Sequence, residues 1–159
     1  MKIRNLFLLF LLNFSSVIFA NDYGHLTVHY WSDKGSPFGH VAINVESSAK
    51  ESVYISYVMG NDLQRDLAKL GPSETLTLPL KSEKAFQSYK VWWRNGPFWH
   101  NKSGYGKDYS IVHLNCVHAV AKALKFLGYE TKYSDKRFAR PKKLWEEVQN
   151  FIPDPDASL

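Results

Sequence analysis

One cysteine, Cys116, stands among 159 residues, so the chain cannot close an internal disulfide. It also lacks any unbroken apolar run of about 18 residues, the least that spans a bilayer as a helix. The longest candidate, Leu6 to Phe19, is interrupted by Asn13, Ser15 and Ser16. Charge of one sign is scarce too: the formal net charge is +5, with no concentrated basic stripe, which argues against nucleic acid as a partner. There is no internal repeat, no low-complexity tract and no linker that would divide the chain.

What comes first is a leader. Lys2 and Arg4 precede the apolar stretch Leu6 to Leu12, and Val17-Ile18-Phe19-Ala20 closes it, the order of a secretory signal peptide. The expected division is a signal peptide over 1–20 and a single domain over 21–159, with a secreted or periplasmic destination. Loss of Lys2 and Arg4 lowers the formal +5 by two. Ten Phe, nine Tyr and five Trp supply ample material for one core. A domain of this size buries about two-thirds of its unfolded surface and needs no partner to fold, so a monomer is expected.

The periodicity predicts an α+β domain. Leu26, Val28 and Tyr30 alternate with polar neighbours over His25 to Trp31, and Val41, Ile43 and Val45 do so after the loop 32–39. Val53 to Val58 repeats the pattern beyond a polar turn, which makes a hairpin. Asn61 and Asp62 open a short helix that runs through Leu70, and Gly71-Pro72 ends it. Thr75 to Leu80 reads as a strand that Pro79 confines to a sheet edge. Ser82 caps a helix reaching Trp93, Asn115 caps another from Cys116 to Leu127 closed by Gly128, and Pro141 opens a last one bearing Leu144, Trp145 and Val148. Between them, 94–108 reads as a loop.

Chemistry centres on Cys116. On a helix from 116 to 127, Cys116, Val120, Ala123 and Leu127 share the inward face, and His118, Lys122 and Lys125 lie opposite. The thiol is thus in the first turn, where unpaired N–H groups and the helix dipole favour the thiolate. A nucleophilic thiol needs an imidazole base. His118 is turned about 200° from the sulfur and is expected to be solvated. His40, opening a strand after Gly39 with the small Ala42 on its face, leaves room for a helix N-terminus.

Gly39-His40-Val41-Ala42-Ile43, then Tyr54-Ile55-Ser56-Tyr57, and later Asn115-Cys116-Val117-His118-Ala119-Val120 with Gly128 resemble the permuted papain-like cysteine hydrolases, relatives of the NlpC/P60 peptidases and the lecithin–retinol acyltransferase group. The resemblance covers roughly residues 38 to 150. It implies an antiparallel sheet packed with helices, a nucleophile at a helix N-terminus, Cys116 as nucleophile and His40 as base. With Ala42 opposite Ser56 in the hairpin, Ser56 and Tyr54 share the His40 face, and Ser56 is placed to orient the ring. The second strand histidine frequent in these groups has no counterpart between His40 and His100. The backbone N–H of Cys116 is the expected oxyanion donor.

Substrate contacts are expected from Phe98 and Trp99 in the loop before the cysteine helix, and from Tyr54. A zinc site from His113, Cys116 and His118 is disfavoured by the helix geometry and by the want of a fourth ligand, so no metal and no cofactor is expected. His25 and His29 read as a surface pair on one strand face. The implied activity is a thiol hydrolase cleaving an amide bond in a peptide or cell-wall peptide through an acyl-thioester. The alternatives are a binding module that keeps the fold without chemistry, and a lipid acyltransferase or thioesterase that resolves the same thioester differently.

Overall fold

Alternating side chains and well-formed caps give the architecture its order. In the computed structural model, which describes residues 22–32, 38–57, 62–95 and 115–152, the elements are β1 (Gly24–Trp31), β2 (His40–Ser47), β3 (Ser52–Ile55), α1 (Leu63–Leu70), β4 (Glu74–Pro79), α2 (Glu83–Asn95), α3 (Cys116–Phe126) and α4 (Pro141–Gln149). The leader 1–20, the loop residues Phe98 and Trp99, and His100 and His113 lie outside the described residues.

The strands form one antiparallel sheet in the order β3-β2-β1-β4. Pro79 sits in the edge strand β4, where its missing N–H costs no interior ladder bond. Asp62 accepts from the Arg65 N–H to start α1, and Ser82 accepts from the Ala85 N–H to start α2. At the far end of α3, Gly128 has φ 86°, and the bonds Tyr129 N–H to Leu124 O and Gly128 N–H to Lys125 O make a Schellman stop.

The two sheet faces are covered unequally. Leu26, Val28 and Tyr30 of β1 and Val41, Ile43 and Val45 of β2 join Ile55, Leu78 and the apolar sides of α2, α3 and α4 in one continuous core. The alternate residues face the other way, where Trp31, Ala42 and Leu70 form a small second cluster flanked by Tyr54 and Leu67. Both faces of β2 are consequently buried at its start: His40, Val41, Ala42 and Ile43 are all inaccessible or nearly so.

This coverage corrects two readings. His29 is not a surface residue: it is 7 % exposed, its Nδ1 lies 3.0 Å from Ser73 Oγ and its ring stacks on Trp31. The chain around Ser73, leaving α1, covers it. His118 is likewise buried rather than solvated, because at the third helical position its side chain curls back to the cap.

Candidate active site

The first turn of α3 is fixed by a reciprocal cap. Asn115 Oδ1 accepts from the N–H groups of Val117 and His118 at 2.9 and 3.3 Å, while His118 Nδ1 accepts from the Asn115 N–H at 3.3 Å. This is a capping box with histidine in the place usually held by Glu or Gln. His118 Nε2 reaches Lys136 O at 2.6 Å and ties the turn to the segment before α4. His118 is therefore a structural clamp on the element that carries Cys116.

Cys116, just inside that cap, is 6 % exposed and packs with the α3-side core. The backbone N–H groups of Val41, Val117 and Cys116 itself face the sulfur and favour the thiolate. Burial outweighs them and pushes the thiol up to about 11. Val41 opens the core face of β2, so the cysteine turn meets the sheet at the beginning of that strand.

His40 is the residue before Val41. Its entry to the strand depends on Gly39, which has φ 76° and whose absent Cβ would lie 2.4 Å from Ser32 O. Only glycine fits there without strain. The His40 ring packs on Trp31, its cross-strand partner, with centroids 5.5 Å apart. Its Nε2 lies 2.9 Å from Ser56 Oγ. Burial holds the imidazole down to about 4, so the ring is neutral at pH 7.

Consecutive strand residues point to opposite faces. Val41 enters the core that holds Cys116, and His40 leaves β2 on the α1 side. Among the described residues no hydrogen bond joins Cys116 to His40, and His40 Nδ1 makes none. The β2–β3 ladder ends at Ile43↔Ile55, and among the described residues no strand pairs with His40 and Val41 on that edge. The structure thus brings His40 and Ser56 into direct contact and sets Cys116 against the adjacent backbone amide.

Tyr54 shares the His40 face, but its hydroxyl is engaged: it donates to Asp66 Oδ2 at 2.6 Å. Desolvation, reinforced by Asp66, pushes the phenol well above its usual range. Asp66 was not anticipated from the sequence. It is wholly buried on α1, and desolvation raises its carboxyl above the usual carboxylate range. The available signal was spacing, since Asp66 stands four residues before Leu70 on the inward stripe of a short helix.

Among the described residues no cluster of three or more metal-ligating side chains occurs, and no helix is long and apolar enough to cross a membrane. Compared with protein-family models, curated proteins and solved structures, the chain matches none of them.

Proposed function

We propose that the protein is a secreted or periplasmic thiol hydrolase of permuted papain-like organisation, cleaving an amide bond in a peptide or cell-wall peptide. The observation that carries this reading is the meeting of the α3 first turn with the start of β2. There the Val41 amide faces the Cys116 sulfur, and the preceding residue, His40, has Nε2 held by Ser56, with no partner for Nδ1 among the described residues.

In the proposed step, Cys116 Sγ attacks the substrate carbonyl carbon as its proton passes to His40 Nδ1. The tetrahedral oxyanion takes the Cys116 N–H, and His40 returns the proton to the departing amine as the C–N bond breaks. Water, deprotonated by the same nitrogen, then hydrolyses the thioester and restores the thiol. At rest the two groups are neutral and uncoupled. The reading requires substrate binding to bring the ring to the sulfur.

A second reading, a binding module of the same fold without chemistry, is favoured by one observation: the absence of a Cys116–His40 hydrogen bond among the described residues. Lipid acyl transfer shares the thioester and falls to the same assay. The protein is incubated with peptidoglycan, with unrelated peptides and with phospholipid vesicles, and followed by product analysis and intact mass. Amide cleavage with a transient acyl adduct on Cys116, abolished in Cys116→Ala and His40→Ala, is expected. Adduct from lipid alone moves the assignment to acyl transfer; no adduct and no product from any substrate leaves the binding module.

A further inference from the structure

His40 is 6 % exposed, and its ring meets two groups: Ser56 Oγ, 2.9 Å from Nε2, and the indole of Trp31. Among the described residues no charged side chain bonds to the imidazole, and burial alone holds it down. In the proposed step this ring carries a proton for part of the cycle, and a buried cation without compensation is costly. The indole is the group placed to compensate. Trp31 is the cross-strand partner of His40, the ring centroids are 5.5 Å apart and the planes are 33° from parallel. At that separation two rings lying side by side in one plane would clash, so the faces overlap with an offset. A cation within about 6 Å of an indole centroid is attracted by the negative ring face, most strongly where water is excluded.

Trp31 is itself held in place. It is 2 % exposed, its Nε1–H donates to Gly71 O at 2.8 Å where α1 closes, and its second ring contact is His29, stacked at 5.8 Å and 17°. With Ala42 and Leu70 it makes the small cluster on this face, of which the indole is the largest member. We infer that Trp31 is a positioning residue for His40: the indole, anchored on Gly71 O, braces the imidazole at Ser56 and stabilises its protonated form. The consequence for turnover rests on the thiol-hydrolase reading, but the effect on the ring does not. The other titratable groups on this face are His29 on β1, Tyr54 on β3 and Asp66 on α1. His29 bonds Ser73 and Tyr54 bonds Asp66, and no hydrogen bond joins either pair to His40. Asp62, Arg65 and Lys69 of the α1 segment are exposed to solvent, and Cys116 lies on the core face.

The test changes the charge on the indole face and little else. In place of Trp31, 5-fluorotryptophan and 5,6,7-trifluorotryptophan are inserted by nonsense suppression; fluorine withdraws charge from the ring face and leaves the Nε1–H donor. The imidazolium fraction of His40 at pH 5 is read from its ring ¹H–¹³C shifts, with the signal assigned by its loss in His40→Gln. The fraction is expected to fall in order of fluorine content, to a loss of about threefold, which is about half a pH unit in the midpoint. A fraction that stays constant or rises overturns the inference. Trp31→Phe and Trp31→Leu give a second measurement, in which Phe keeps more of the imidazolium than Leu. Equal fractions in the two, or a higher one in Leu, overturn it, because packing does not distinguish an aromatic face from an aliphatic one. Where amide turnover is measurable, the trifluorinated protein lowers kcat severalfold with KM unchanged. Full turnover in Cys116→Ala would remove the hydrolase reading and leave the titration result standing. A titration indifferent to fluorine with Cys116-dependent turnover intact would remove only the role of Trp31.

Discussion

The two faces of the sheet are built on different principles. The α3 side is a broad apolar core with three described helices over it, and Cys116 within it is kept as a neutral thiol by burial. Among the described residues the α1 side has one two-turn helix, few apolar residues, and three separate polar pairs: His29 with Ser73, His40 with Ser56, and Tyr54 with Asp66. One face holds the fold together and the other concentrates titratable groups. The start of β2 is where they meet, with Val41 belonging to the first and His40 to the second.

The sharpest way to expose the difference is to damage the apolar side. Leu124 is fully buried beneath α3, and Leu124→Ala removes its transfer free energy and leaves a cavity. A loss of about 2–5 kcal/mol in urea-unfolding free energy is expected, whereas Leu67→Ala, partly buried on the α1 side, should lose clearly less. Equal losses would mean that the α1 cluster is as much a core as the other.

The polar side should dominate the response to acid. His40 and His29 bind a proton less readily when buried than in the unfolded chain, whose histidines titrate near 6.5. Stability is therefore full above about pH 6.5 and falls as the pH drops toward 4, by about 3 kcal/mol from His40 alone. Urea midpoints measured from pH 7.5 to 4 should show this slope, and it should flatten in His40→Gln. A slope unchanged by that substitution would place the acid sensitivity elsewhere.

On the apolar side the matching chemical test is thiol labelling. With the Cys116 thiol pushed up to about 11 from an ordinary 9.0, iodoacetamide at pH 7 should modify the folded protein about a hundredfold more slowly than the urea-unfolded chain. The rate should climb with pH through 10. Labelling at the unfolded rate would mean that the proton already resides on His40 and that the two faces are coupled without substrate.

Much of this was legible in the sequence, for local reasons. The alternation of Leu26-Val28-Tyr30 and Val41-Ile43-Val45, the caps at Asp62, Ser82 and Asn115, and the stops at Gly71 and Gly128 are written in neighbouring residues, and the elements follow them closely. The Ile43↔Ile55 register, continued by one pair, places Ala42 opposite Ser56, the pairing on which the sequence-based placing of Ser56 beside His40 is conditional. Periodicity cannot tell what covers the second face of a strand. His29 alternates as a solvent residue does, yet Trp31 and Ser73 enclose it. Asp66 stands alone in a short charged helix, and its partner Tyr54 comes from the preceding hairpin.

The smallest expected effect concerns the joint itself. A helical wheel sends His118 to the polar side, but at the third position a side chain can return to the cap, and His118 is buried there against Asn115 and Lys136 O. Removing the cap with Asn115→Ala should cost about 1 kcal/mol. His118→Ala should cost a similar amount or less, whereas His118→Gln, which restores the side chain most at home in this box, should recover most of it. If His118 acts only as a clamp, Cys116 labelling at pH 7 in folded His118→Gln will equal that of the wild type. A labelling rate that changes severalfold in folded His118→Gln while the urea midpoint does not would assign His118 a part in the chemistry of the thiol. It would also undo the division of labour between the faces, by setting a second imidazole on the cysteine's own helix.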